Sequence, residues 1–218
     1  MKKSHIFYLL LTAVLLFVSY LFVDRELALA LSPIRKQHFW FSLFHGMQYI
    51  DVFNYIIPVI LVYLIVMLAI KKHKIRFNRF LFSFSVSIYA AGLVTRILKI
   101  IFGRYWPETF LNNNLSFIKD GVYRFTFFNI HREYQSFPSS HSAAIFAAMT
   151  ILWIYYPKLR ILSFVMCLIV VIGLLGCNYH FLSDIIAGAY VGLLSGILVN
   201  SYIRNAPDLV ETSTNPKL

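Results

Sequence analysis

Six uncharged or nearly uncharged apolar runs, at 6–23, 53–70, 80–102, 140–156, 161–179 and 185–203, leave this chain few folds to choose from. Each is close to the length a helix needs to cross a hydrocarbon core roughly 30 Å thick. Lipid offers a backbone no hydrogen-bond partner, so a spanning segment must satisfy its own amides as a helix or join a closed barrel. None of these runs alternates as a barrel strand does. A chain that is 59% hydrophobic and only 13% charged has no room for a soluble domain beside them. The expected fold is all-α, an integral membrane six-helix bundle.

Charge decides how such a bundle is threaded. A net charge of +11 would suit a nucleic-acid partner, but the basic residues fall largely between the apolar runs, where the positive-inside rule accounts for them, so no nucleic acid is expected. Lys2 and Lys3 precede the first run, Lys71, Lys72, Lys74, Arg76 and Arg79 join the second to the third, and Lys158 and Arg160 join the fourth to the fifth. These ends and both termini are expected on the cytoplasmic side of a bacterial-type inner membrane, which leaves 24–52, 103–139 and 180–184 periplasmic or extracellular. Residues 1–204 read as one membrane domain and 205–218 as a short disordered cytoplasmic tail. The opening Met1-Lys2-Lys3 also resembles a signal peptide, but the apolar run is long and small residues come late, so the first span is expected to be retained. Cys167 and Cys177 share the fifth run, where helical geometry keeps them from pairing.

Segment 24–49 mixes charges with Phe39, Trp40, Phe41 and Phe44, which fits an amphipathic or re-entrant piece in the outer interface, either a plain interfacial loop or one wall of a lipid-access groove. Gly188, Gly192 and Gly196 align small residues along one ridge of the last run and permit close helix packing.

The chemistry-bearing residues gather at the outer ends of the runs. Pro138, Ser139, Ser140 and His141 stand where the fourth run begins; a Ser cap after a Pro leaves free N–H groups and a positive dipole end suited to phosphate, although a capped helix beside an interfacial His has the same sequence. Arg96 and Lys99 share one face near the outer end of the third run, either as functional charges or snorkelling to headgroups. Arg104 follows. The long segment 108–137 carries Arg124 and Arg132 among many aromatics. His180 closes the fifth run and Asp184 opens the sixth, a spacing at which a carboxylate can orient an imidazole or simply cap a helix. Together, four helix ends bring two cations, two histidines and one carboxylate to one membrane depth. That layout suits a phosphate monoester or diphosphate.

On these residues the chain resembles the type 2 phosphatidic acid phosphatase superfamily, whose motifs are K-x6-R-P, P-S-G-H and S-R-x5-H-x3-D. Here they read Lys99-x6-Trp106-Pro107, Pro138-Ser139-Ser140-His141 and Gly173-Leu174-x5-His180-x3-Asp184, within about 96–196. The resemblance implies a six-span core with its active site at the outer ends of helices three to six. It also implies that His180 attacks phosphorus to form a phosphohistidine, that Asp184 fixes its tautomer, and that His141 protonates the leaving alkoxide. Lys99, Arg104 and the N–H groups near Ser139 and Ser140 would hold the phosphoryl oxygens, with no metal and no cofactor. Three positions depart from the pattern: Ser140 stands in place of Gly, and Trp106 and Leu174 in place of both arginines. Arg104 is the expected substitute clamp, with Arg96, Arg124 and Arg132 as further phosphate or headgroup contacts. The implied activity is a membrane lipid phosphatase acting on a phosphorylated lipid in the bilayer. A lipid phosphotransferase and a catalytically inactive binder of anionic lipids are the alternatives.

Overall fold

Every apolar run is helical in the computed structural model, which describes residues 3–49, 52–69 and 75–205. Helix α1, Lys3–Val18, passes through a π-helical turn, Ser19–Val23, straight into α2, Asp24–Arg35. Then come α3, His38–Met47, α4, Val52–Ala69, and α5, Ile75–Phe102. A one-turn α6, Phe117–Asp120, interrupts the long loop before α7, Ser140–Tyr155, α8, Arg160–Gly176, and α9, Leu182–Asn205. No strand forms among the described residues; isolated bridges pair Arg104 with Phe125 and Gln135, and Trp106 with Ser116. Lys2, Lys71, Lys72, Lys74 and the expected tail beyond residue 205 lie outside the described residues.

Among the described residues, five stretches are long and apolar enough to cross a membrane. The sixth expected span is α7, shorter at 16 residues, or about 24 Å at 1.5 Å per residue. It is the innermost helix, set against α5, α8 and α9, and it buries Ala143, Ile145, Ala147, Ala148 and Ile151. One apolar cluster joins it to α4 and α5 through Ile57, Ile88 and Ala91. A second joins it to α8 and α9 through Cys167, Val170, Leu174 and Ile185.

The N-terminal helix differs from its expected bounds of 6–23, because it runs on to Arg35. Asp24, Ala28 and Ser32 recur at helical spacing and are all buried, so the helix continues past the end of its apolar run by docking a polar face inward. The expected amphipathic piece is α3, which packs across α8 with the Phe44 ring where a side chain on Gly176 would stand.

The glycine ridge of α9 does what its spacing implies. A Cβ on Gly192 would sit 2.9 Å from the Ala147 amide nitrogen and from the Phe146 Cβ, closer than side chains tolerate, so α7 and α9 meet backbone to backbone. Gly192→Leu is expected to destabilise the protein by roughly 1–3 kcal/mol, the usual cost of overpacking. A lowered thermal unfolding midpoint in detergent would show it, and an unchanged midpoint would contradict the seam.

Candidate active site

The start of α7 is fixed from two sides. The Ser139 Oγ accepts from the Ser142 amide at 3.3 Å, a side-chain cap, while the Ser139 amide donates to the Asp184 carbonyl at 3.0 Å and ties α7 to the first turn of α9. Ser140 and His141 are first-turn positions whose amides have no partner within a helix. The Ser139 amide, expected to bind phosphate, is thus already engaged. The amides of Ser140 and His141 are the ones left for an anion.

The α8–α9 connection delivers His180. Asn178, with a positive φ of 51°, turns the chain, and its Nδ2 donates to the Ala28 carbonyl at 2.9 Å, fastening the turn to α2. His180 Nδ1 stands 3.6 Å from Asp184 Oδ2 and has no other partner, so a small shift makes it a hydrogen bond. Asp184 Oδ2 also accepts from Ser136 Oγ at 2.6 Å and from the Phe181 amide at 3.1 Å. Burial pushes the His180 pKa below its ordinary value, against the pull of Asp184, which favours the neutral imidazole. The rings of His141 and His180 lie 6.5 Å apart, centre to centre.

Of these groups, Ser140 and His141 line a cavity of about 810 Å³; His180 and Asp184 do not, and the Trp106 ring packed on His180 does. Arg96, Lys99, Arg132, Gln135, Ser140 and His141 line one part; Phe53, Ile57, Ile88, Leu93 and Ala144 line the rest, from α4, α5 and α7. Phe39, Trp40, Phe41 and Phe44 of α3, expected as one wall of a lipid-access groove, line none of it; α4 and α5 supply that wall instead. Lys99 Nζ donates to the Gln135 carbonyl and sits 5.4 Å from the Trp106 ring centre. Trp106 in turn lies against His180, with ring centres 5.1 Å apart, and its Nε1 donates to the Arg132 carbonyl at 3.1 Å. At the motif position where an arginine was expected, an indole therefore lies between the lysine and the histidine. The other such position, Leu174, is fully buried among Ile145, Cys167, Val170 and Ile185, where a charge would have no partner.

Arg104 is placed elsewhere than a phosphate clamp requires. It is 1% exposed and turned away from the cavity. Its Nη1 donates to Asp184 Oδ1 and to Ser183 Oγ at 2.7 Å, and its Nη2 to Asp24 Oδ2 at 2.9 Å. Phe181 lies 4.3 Å from the guanidinium carbon, and Tyr20, Tyr123 and Phe125 complete an aromatic box around it. Burial works against the charge, but Asp184 and Asp24 outweigh it and raise the pKa. Arg96 and Arg132 do reach the cavity, whereas Arg124 is exposed over the Tyr105 ring, outside it.

Asp24, Ser136 and Gln135 escaped the sequence reading. Asp24 carried one available signal, a carboxylate directly after an apolar run, which is costly if buried unless it has a partner. Ser136 and Gln135 come from an irregular loop with no spacing to mark them. Among the described residues, no group of three or more His, Cys, Asp or Glu side chains is arranged to hold a metal ion.

Comparison with known proteins places this geometry in a family. The sequence profile of the PAP2 superfamily matches residues 80–208. The Lipid A 1-phosphatase of Rhizobium etli is 30% identical over 125 residues, covering 54% of this chain and 48% of that protein. The Lipid A 1-phosphatase of Rhizobium johnstonii is 30% identical over 122 residues, covering 51% and 45%. The chain thus spans about half the length of the curated relatives it matches. The crystal structure of the first transmembrane PAP2 type phosphatidylglycerolphosphate phosphatase from Bacillus subtilis superposes over 94% of this chain and 96% of its own, with a TM-score of 0.57 at 19% identity, a likeness of fold.

Proposed function

The chain belongs to the PAP2 superfamily, and we propose that it is a membrane lipid phosphatase that works through a phosphohistidine on His180. The observation that carries this reading is the His180–Asp184 pair beside His141, whose ring lines a cavity that is cationic at one end and apolar at the other. A phosphorylated headgroup fits the first end and acyl or prenyl chains fit the second. The relatives named as acting on lipid A support a phosphorylated lipid as the substrate class.

With Nδ1 turned to Asp184, Nε2 of His180 is the nucleophilic atom. It forms a bond to phosphorus as the ester oxygen leaves, and His141 gives that oxygen a proton. A phosphoryl dianion beside His141 favours the protonated imidazole that this step needs. Lys99 and the amides of Ser140 and His141 hold the phosphoryl oxygens as charge spreads, with Arg96 and Arg132 at the mouth. Asp184 stabilises the positive charge that His180 acquires. Water, deprotonated by His141, then attacks phosphorus, the P–N bond breaks and inorganic phosphate leaves. No step requires a metal, since Asp184, the carboxylate beside the histidines, is occupied by Arg104, Ser136 and the Phe181 amide.

The test is phosphate release by purified protein from lipid A, a polyprenyl diphosphate and phosphatidylglycerol phosphate. At least one should turn over, EDTA should leave the rate unchanged, and His180→Ala should lower it by about 10⁴-fold or more. Activity lost to EDTA and restored by a metal, or retained by His180→Ala, would overturn the mechanism.

Sidedness belongs to the same proposal. Arg76 donates to the Tyr155 carbonyl at 2.8 Å, and Lys158 and Arg160 follow directly, so basic residues collect at the end of the bundle opposite His141 and His180. By the positive-inside rule this supports a site on the periplasmic or extracellular side of a bacterial-type inner membrane. A cysteine at Asn113 should react with an impermeant maleimide from outside intact cells, and one at Lys158 should not. The reverse pattern would move the site to the cytoplasm.

A further inference from the structure

Resting on the phosphatase reading above, we propose that Asp24, from the N-terminal helix, is a positioning residue of the active site, acting through Arg104 to keep Asp184 effective toward His180. Asp24 never touches the cavity. It is 1% exposed, yet it accepts from Arg104 Nη2 at 2.9 Å, the Ser183 amide at 2.9 Å, Tyr123 OH at 3.1 Å, Ser19 Oγ at 3.3 Å and the Ser183 hydroxyl. Such saturation of one carboxylate, with no solvent, is unusual for a residue that would otherwise only end an apolar run.

The reason lies in charge. Asp24, Arg104 and Asp184 form a chain of minus, plus, minus, enclosed by aromatic rings that keep water out and the local dielectric low. Arg104 alone would cancel most of the field that Asp184 exerts on the imidazole. Asp24 takes up that positive charge from the far side, so the trio keeps one net negative charge behind His180. The same carboxylate sits on the Ser183 amide at the start of α9 and holds the turn from which Asp184 projects. A buried ion chain is a poor way to fasten helices together, since apolar residues of the same volume do this as well or better. Asp24 also lies outside the segment 80–208 that matches the family, so in this chain the N-terminal helix completes an ion chain whose other members, Arg104 and Asp184, come from the matched segment.

Full-length protein in detergent tests this with Asp24→Asn, Arg104→Gln and their combination. Asp24→Asn is expected to lower kcat by about 10- to 100-fold, the scale for losing an outer partner that orients an imidazole, with KM unchanged. The double variant should be no slower than Arg104→Gln alone, because Asp24 acts through Arg104. Vanadate, whose bond to an imidazole mimics the attacked phosphorus, should bind Asp24→Asn more weakly, while inorganic phosphate binds it as it binds wild type. Wild-type kcat and vanadate affinity in folded Asp24→Asn, or an effect that adds in full to Arg104→Gln, would overturn the inference; a purely structural residue would lower the unfolding midpoint without this pattern. If Asp24→Asn does not fold, Asp24→Asn with Arg104→Met removes the pair together and should fold with low kcat, and wild-type kcat there would be equally decisive. Wild-type protein that neither releases phosphate nor binds vanadate would overturn the phosphatase reading and this inference with it.

Discussion

A guanidinium with no water around it must find carboxylates, and much of the His180 end of this bundle follows from where Arg104 finds them. Its two partners come from opposite ends of the chain, Asp24 from the N-terminal helix and Asp184 from the last. Leaving any of the three unpaired would strand a charge in an apolar box, a loss of about 3–5 kcal/mol for a typical buried pair. The arrangement therefore behaves as a unit. The backbone around Arg104 follows the same logic: its carbonyl accepts from the Ser136 amide at 3.2 Å, and its amide donates to Tyr134, which brings the Ser136 hydroxyl onto Asp184.

What this unit supports is a short line of groups, Asp184, His180 and His141, the last of which lines an amphiphilic cavity. α7 is central to it, because its capped N-terminus supplies His141 and free amides while its buried face forms the core with α5, α8 and α9. The glycine ridge of α9 allows the close approach that brings the Ser139 amide to the Asp184 carbonyl. Packing in the apolar interior thus sets the spacing of polar groups at its end. On the proposed function that coupling matters, since a phosphate anchored in lipid must be met by groups that are already in place.

The spans were legible in the sequence because lipid imposes a length and a polarity that no other environment does. The N-terminal helix was not bounded correctly, since Asp24 reads as the end of an apolar run until its partner, 80 residues away, is known. Lys99, His141, His180 and Asp184 were legible as types at motif spacing, and the structure gathers them. Arg104 shows the limit of that method. Its position just beyond Lys99 made it look like a second phosphate contact, but a helix end gives no direction to the residue after it, and the pairing of the loop with Tyr134 and Ser136 turns Arg104 inward. Trp106, expected as a missing arginine, is instead a ring between Lys99 and His180, a role no spacing rule encodes.

If the supported imidazole is the nucleophile, its phosphoryl adduct can be trapped. Protein mixed with a turned-over lipid phosphate and quenched in alkali, where phosphohistidine survives, should yield a phosphorylated peptide mapped by mass spectrometry to His180. The adduct should build up when His141 is replaced by a residue that cannot activate water, provided a substrate with a good leaving group removes the need for an acid. Steady turnover with no adduct on His180, or an adduct on His141 in its place, would contradict the account.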